Sequence, residues 1–194
     1  MAGVRIGLDK LHYAVMTDET TETYATPKPI PGAIEATITP TTNTATLFAD
    51  DQADEVATSL GGIEVSLNVK DLPPEIRAEL LGAKVNADGV LIESKDDVPP
   101  YVALGFRSLK SNGKYRYFWL YKGKFQLSEE TFATRTDTPE FQTPTVTAQF
   151  VPRAKDGRWR AWVDEDGTSV DPTVITNWFN AVYEESVDSG GESS

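Results

Sequence analysis

Cysteine is absent from the 194-residue sequence, histidine occurs once and methionine twice. Without thiols there is no disulfide, no thiolate nucleophile and no cysteine-based zinc site. Lack of cysteine also fits a reducing compartment. A chain of this length needs no such staple, because a single domain of its size buries roughly 70% of the surface its unfolded form exposes. The lone histidine, His12, has no serine or cysteine nucleophile motif nearby and is expected to be a packed or surface residue. No apolar run approaches the ~18 residues of a membrane span. The opening MAGVRIGLDK carries no apolar core of a signal peptide. The expectation is a soluble protein that stays on the side of the membrane where it is made.

Positive charge is also scarce. Eighteen Lys and Arg face thirty Asp and Glu, for a formal net charge of −12. That balance argues against tight binding to a phosphate backbone. It leaves two readings open, an acidic solubilising surface or a surface that repels a polyanion. The charge is unevenly spread. Residues 1–100 hold 7 basic and 17 acidic residues, residues 101–160 hold 11 and 5, and residues 161–194 hold none and 8. The middle block carries most of the aromatics. Head-to-tail packing and intramolecular pairing explain this pattern equally well.

What is present is period-2 alternation. In the segment from Gly62 to Lys70, Ile63, Val65, Leu67 and Val69 alternate with polar residues, which predicts a half-buried strand. Leu11, Tyr13 and Val15 repeat the pattern, Ile34, Ala36 and Ile38 more weakly, and Val146, Ala148 and Phe150 again. Pro144 marks a strand start or a sheet edge. Two hairpins are predicted. Tyr101–Ser111 and Lys114–Leu127 flank Asn112-Gly113, a pair suited to a type I′ turn. Val146–Arg153 and Arg158–Val163 flank Ala154–Gly157. In the strand after Gly113, Tyr115, Tyr117, Trp119 and Tyr121 share one face while Phe118 and Leu120 share the other. A strand apolar on both faces must be covered on both, and the expected cover is another layer of the same domain.

Two helices are predicted. One runs to Gly82, with Pro73-Pro74 in its first turn and Ile76 and Leu80 on one face. The other starts at Asp171-Pro172 as N-cap and N1, with Val174, Trp178 and Val182 on a face. Residues 17–32 and 184–194 read as an extended arm or loop and an acidic tail, and 41–61 as a long loop that mixes a short possible strand, Thr44–Ala49, with the acidic run 50–55.

Candidate chemistry is sparse. Gly61-Gly62 precedes a strand rather than a helix, so it is a turn and not a phosphate cradle. Asp164-Glu165-Asp166-Gly167 lacks EF-hand spacing and reads as a turn. Asp50-Asp51 and Asp96-Asp97 are adjacent carboxylates of the solvated kind. Trp159 and Trp162 could stack on sugars, although core packing is the expectation for both.

Several segments, in order and spacing, carry a family resemblance: Val4–Val15, Tyr24-Ala25-Thr26-Pro27, Ile30-Pro31-Gly32-Ala33, Phe48-Ala49-Asp50-Asp51, Leu72–Gly82, Asn86–Val90, and Val174–Tyr183 with its Asn177-Trp178-Phe179. Together they resemble the major tail proteins, or tail tube proteins, of long-tailed siphophages over roughly Val4 to Tyr183. The resemblance implies a mainly β fold, a β-sandwich or partly open barrel flanked by one α-helix. It implies a single domain over 1–183, with an N-terminal arm (1–10), a long inter-subunit loop (41–61) and a C-terminal helix (171–183), followed by a disordered acidic tail (184–194). It further implies hexameric rings stacked into a tube whose lumen, commonly acidic, carries the genome during ejection. Expected partners are further copies of the chain, the tape measure, tail terminator and distal tail proteins, and DNA in transient passage. Assembly is expected in the host cytoplasm, and the virion tail is the destination. No membrane, cofactor, metal or catalytic residue is implied. Val4, Ile6 and Leu8 in the arm and Phe48, Asp50, Asp51, Asp54 and Glu55 in the loop are the expected subunit contacts. Glu64, in register with Ser66 and Asn68, is the expected lumen residue. The alternative is a carbohydrate-binding β-sandwich on a virion or cell surface, using Trp159 and Trp162.

Overall fold

Alternating apolar residues organise the chain into extended elements, and a computed structural model describes residues 3–49, 52–128, 134 and 143–185. Strand β1 (Asp9–Asp18) is followed by the short β2 (Thr23–Tyr24) and β3 (Lys28–Pro29), then by β4 (Ala33–Ala49) and β5 (Gln52–Val69). Helix α1 (Pro74–Leu81) and the small pair β6 (Lys84–Val85) and β7 (Leu91–Ile92) lead to β8 (Val102–Leu109) and β9 (Tyr115–Gln126). Strands β10 (Thr145–Val151) and β11 (Arg160–Asp164) and helix α2 (Pro172–Asn177) complete the order. The chain is mainly β, as expected.

The main sheet runs β2-β1-β8-β9-β10-β5-β4, with β3 also on β1 and β11 also on β9. It curls into a partly open barrel around the principal core. Leu11 and Tyr13 from β1, Val102 and Leu104 from β8, Phe118 and Leu120 from β9, Phe150 from β10 and the β5 row meet there. Ile63, Val65, Leu67 and Val69 are all essentially inaccessible to solvent, each worth about 1.5–3 kcal/mol of burial. Helix α1 caps this core with Leu80 buried and Ile76 packed beside it. Glu79 ties the helix down, accepting from the Tyr13 hydroxyl at 2.7 Å and pairing with Lys28 at 2.6 Å.

The other face of β9 has its own cover. Tyr117, Trp119 and Tyr121 pack with Trp178 and Val182, and Phe179 and Tyr183 border them. The second layer is therefore supplied by the same chain. Trp119 reaches down past Gly105, where an added Cβ would lie 2.6 Å from the indole ring. Only glycine permits that approach. The expected helix over 171–183 is shorter in the structure. It starts as predicted, with the Asp171 side chain accepting from Thr173 N–H at 2.8 Å, but ends at Asn177. Beyond it, the Trp178 carbonyl accepts from the Trp119 indole at 2.9 Å, and the Tyr183 carbonyl accepts from the Tyr121 hydroxyl at 3.0 Å. Those acceptors are held by side chains of β9 rather than by a helical ladder.

Other expectations are corrected. The Asn112-Gly113 turn is not type I′, since of its two residues only Gly113 has positive φ, 78°. Gly113 N–H donates to Lys110 O at 2.9 Å and Lys110 N–H to Lys114 O at 2.8 Å, giving a three-residue loop that closes on a left-handed glycine. The second predicted hairpin does not form. Both β10 and β11 pair with the same edge of β9, and residues 152–159 make an excursion between them. Arg153 N–H donating to Arg158 O at 2.8 Å closes that excursion. Ala36 and Ile38 pack on the core, but Ile34 is turned out by a register shift between Ala33 and Glu35. Residues 17–32 are not a loose arm, because β2 and β3 lie along β1 and Ile30 is buried. In segment 41–61 the strand extends well beyond the expected Thr44–Ala49. Its β-branched residues Thr42, Thr44, Val56 and Thr58 suit an extended ladder, and it forms the outer part of the β4–β5 hairpin.

Candidate assembly surface

The half of the sheet that the C-terminal segment leaves uncovered presents a polar face. Three cross-strand rows make it up: Lys124–Gln149–Glu64–Thr39, Gln126–Thr147–Ser66–Thr37, and Thr145–Asn68–Glu35. Alternation of side chains produces this face automatically, because the partners of these residues fill the core. Glu64 is exposed and accepts from the Gln149 amide at 3.3 Å. The Asn68 amide donates to the Thr145 hydroxyl at 3.2 Å. Hydroxyls and amides dominate, and the charges are Glu35, Glu64 and Lys124. The lysine ammonium lies 4.2 Å from the Tyr101 ring centroid.

Beyond the sheet, β4 and β5 continue alone. The β10 ladder stops at Phe150 opposite Ile63, while β4 and β5 remain paired from Thr42–Leu60 out to Ala49–Gln52. Nine further residues of β4 extend the ribbon by about 30 Å. A two-stranded ribbon by itself is marginal in water. Phe48, Asp54 and Glu55 lie on this ribbon, where Phe48 pairs with Ala53 and Glu55 with Leu47. Asp50 and Asp51 lie outside the described residues.

The other expected contacts are at the N-terminus, which is not a free arm. Ile6 N–H donates to Leu109 O at 2.8 Å, Leu109 N–H to Gly7 O at 3.1 Å, and Ser111 N–H to Val4 O at 2.7 Å. The segment is thus laced to the end of β8. Val4 and Ile6 are 72% and 64% exposed, whereas Leu8 packs against the principal core. Two of the three predicted contact residues therefore remain available on the surface.

The charge blocks meet within the chain. Asp164 receives both Arg116 nitrogens, at 2.6 and 2.7 Å, and the buried Lys110 pairs with Asp166. Glu165 pairs with Lys114 at 3.1 Å and accepts from Tyr115 N–H at 2.9 Å. The Arg116 guanidinium holds the Asp164 carboxyl below its ordinary range. The acidic stretch is a turn, as expected, with Gly167 N–H donating to Asp164 O at 3.0 Å, and its carboxylates clasp the neighbouring cations. A second clasp is centred on Arg153, whose guanidinium pairs with Asp156 and Glu184 and lies 3.8 Å from the Tyr121 ring centroid. Beside it Glu22, fully buried, pairs with Lys122 at 2.6 Å and accepts from the N–H groups of Ala154 and Lys155, both at 3.0 Å. Burial raises the Glu22 pKa, but the Lys122 contact and the two backbone donors outweigh it and leave it below the ordinary value. Sequence reasoning missed both centres, since Glu22 sits in a stretch of threonines and acids. The only signal was the run of unbalanced arginines and lysines at residues 153–160.

The remaining candidates do not converge. His12 stacks on Phe179 with ring centroids 4.5 Å apart and bonds through Nδ1 to Lys10 O at 2.8 Å, and burial lowers its pKa. Asp97 accepts from Ser94 N–H at 2.7 Å within its own loop. Trp159 packs against the core with Arg160 over its ring, but Trp162, expected in the core, is 50% exposed with Arg116 over its ring. Among the described residues β11 is an edge strand, with β9 as its one pairing partner. Each indole is thus already faced by a cation. Among the described residues no three His, Asp or Glu side chains gather as a metal site, and no helix is long and apolar enough to cross a membrane.

The family model described as phage tail tube protein matches residues 15–187. No curated protein matches the chain.

Proposed function

The chain belongs to the phage tail tube protein family, and from that membership we propose that six copies form a ring and that stacked rings make the conduit for genome ejection. It is a structural tail protein of the virion. The observation that carries the finer reading is the β4–β5 ribbon, whose outer half, among the described residues, pairs only with itself. Such an element gains its stability by docking on a neighbouring subunit. Phe48, Asp54 and Glu55 are the proposed contact residues on it, with Asp50 and Asp51, which lie outside the described residues, and Val4, Ile6 and Leu8 of the N-terminal segment. The tape measure, tail terminator and distal tail proteins are the further partners, and assembly takes place in the host cytoplasm. No reaction is assigned to the chain, whose role is mechanical.

The polar sheet face supports a lumen role for Glu64. With Glu35 and Lys124 it leaves one net negative charge per chain, repeated around each ring. Hydroxyls and amides that bond to water leave DNA Lys124 as the one cation of the three rows, and the excess carboxylate repels phosphate within a Debye length, about 8 Å at physiological salt. Negative-stain microscopy of the purified chain at high concentration, with an initiator complex where needed, should show rings or hollow tubes. A chain that stays monomeric there and is absent from virion tails by mass spectrometry would exclude the proposal.

A further inference from the structure

Among the described residues the outer edge of β11 is unclaimed. Tyr121 N–H donates to Trp159 O at 3.0 Å and Glu165 N–H to Tyr115 O at 2.9 Å. Those bonds set the parity of the ladder. Ala161 and Val163 turn their backbone groups toward β9, while Arg160, Trp162 and Asp164 turn theirs away. Among the described residues no strand pairs with that edge. The side chains of Arg160, Trp162 and Asp164 share one face of the strand, opposite Leu120, Phe118 and Arg116. Trp162 is 50% exposed. Arg160 has no carboxylate partner among the described residues, and both burial and the nearby Arg5 disfavour its charge.

The order Arg160-Ala161-Trp162-Val163-Asp164 is antisymmetric in charge about the tryptophan. A reversed copy set beside it places Arg160 opposite Asp164 twice and Trp162 opposite Trp162. We propose that two copies of this chain pair edge to edge through β11, antiparallel about a two-fold axis at Trp162. The open N–H and C=O groups of Arg160 and Trp162 then find partners. Arg160 gains a carboxylate, and the two indoles cover each other. A short charged edge also guards against uncontrolled pairing, and here the same charges admit one self-complementary register. Such a dimer is closed and cannot grow, so it differs from contacts that build rings and stacks. The pairing stands without the tube reading. Its use as a reserve that holds subunits out of premature polymers rests on that reading.

The absence of cysteine makes the test clean. Directly paired, hydrogen-bonded positions across antiparallel strands lie about 5.5 Å apart at Cα, within reach of a disulfide. Full-length Trp162→Cys should therefore oxidise to a covalent dimer. Arg160→Cys should not, because its two copies sit about 13 Å apart along the strands. In sedimentation equilibrium, Arg160→Asp should weaken the dimer by about tenfold or more, since each change acts twice. A wild-type chain monomeric at high concentration, or equal crosslinking of both cysteine variants, would overturn the proposal. So would an unaltered dimer in Arg160→Asp. Tubes formed by a chain that fails these tests would overturn the dimer alone. Crosslinked dimers from a chain that never forms tubes would support the dimer and count against the tube.

Discussion

Removing the outer ribbon should separate folding from assembly. Thr42–Leu60 can be replaced by Asn-Gly between Thr41 and Gly61, which face each other where the ladder narrows. The excised strands pair with each other and not with β10, so the core in residues 63–69 keeps all its neighbours. An isolated two-stranded ribbon contributes close to zero net stability. Shortening the closing segment roughly tenfold removes loop-closure entropy, worth at most about 2 kcal/mol in favour of the variant. At roughly 2–4 °C per kcal/mol for a domain of this size, the melting temperature should be unchanged or up to about 8 °C higher. Polymerisation, followed by light scattering and microscopy, should be abolished. A cooperative melt lowered by several degrees would show that the ribbon belongs to the core. Normal tubes from the variant would show that it docks on nothing, and the reasoning would fail.

Glu22→Gln removes a buried charge from Lys122 and should cost about 3 kcal/mol in chemical denaturation, or roughly 6–12 °C. Because the folded Glu22 carboxyl titrates below its ordinary 4.5, the pair contributes fully above pH 4.5, and its contribution is lost as pH falls through the depressed folded value. The gap between wild type and variant should therefore be constant near neutrality and narrow in acid; a gap that widens in acid would reverse the assignment. Leu80→Asp buries a lone carboxylate against the principal core, at several kcal/mol out of a total of ~5–15, so no cooperative thermal transition should survive. Retention of the wild-type melt would place α1 on the surface. Glu64→Lys should leave the melt and tube length unchanged, since Glu64 is exposed. It should slow DNA ejection most at low salt, where attraction to phosphate is least screened, and ejection at the wild-type rate would remove Glu64 from the lumen.

The parts of this fold that were legible in the sequence are those where local pattern and burial coincide. Ile63 to Val69 alternate and bury as read, and the two-faced aromatic strand β9 announced a second layer that Trp178, Phe179 and Val182 supply. Pairing partners were not legible. Nothing local says that β11 returns to β9 rather than to β10; the excursion between them is held at the buried Arg153 by Asp156, three residues on, and by Glu184 from the C-terminal segment. Of the ribbon only Thr44–Ala49 reads as a possible strand, because the ribbon's threonines and acids lack the apolar alternation that marks a half-buried strand. Ile34 is displaced by a bulge, and one inserted residue flips the alternation without leaving a mark in composition. Of the proposed contact residues at the N-terminus, Val4 and Ile6 are exposed, while Leu8 packs against the principal core.

The most direct measurement is a helical reconstruction, at side-chain resolution, of tubes grown from the full-length chain. The account predicts six subunits per ring, the β4–β5 ribbon seated on a neighbouring subunit, and Glu64 with Ser66 and Thr147 facing the channel. A tube whose ribbon stands free in solvent, or whose polar sheet face points outward, would contradict it.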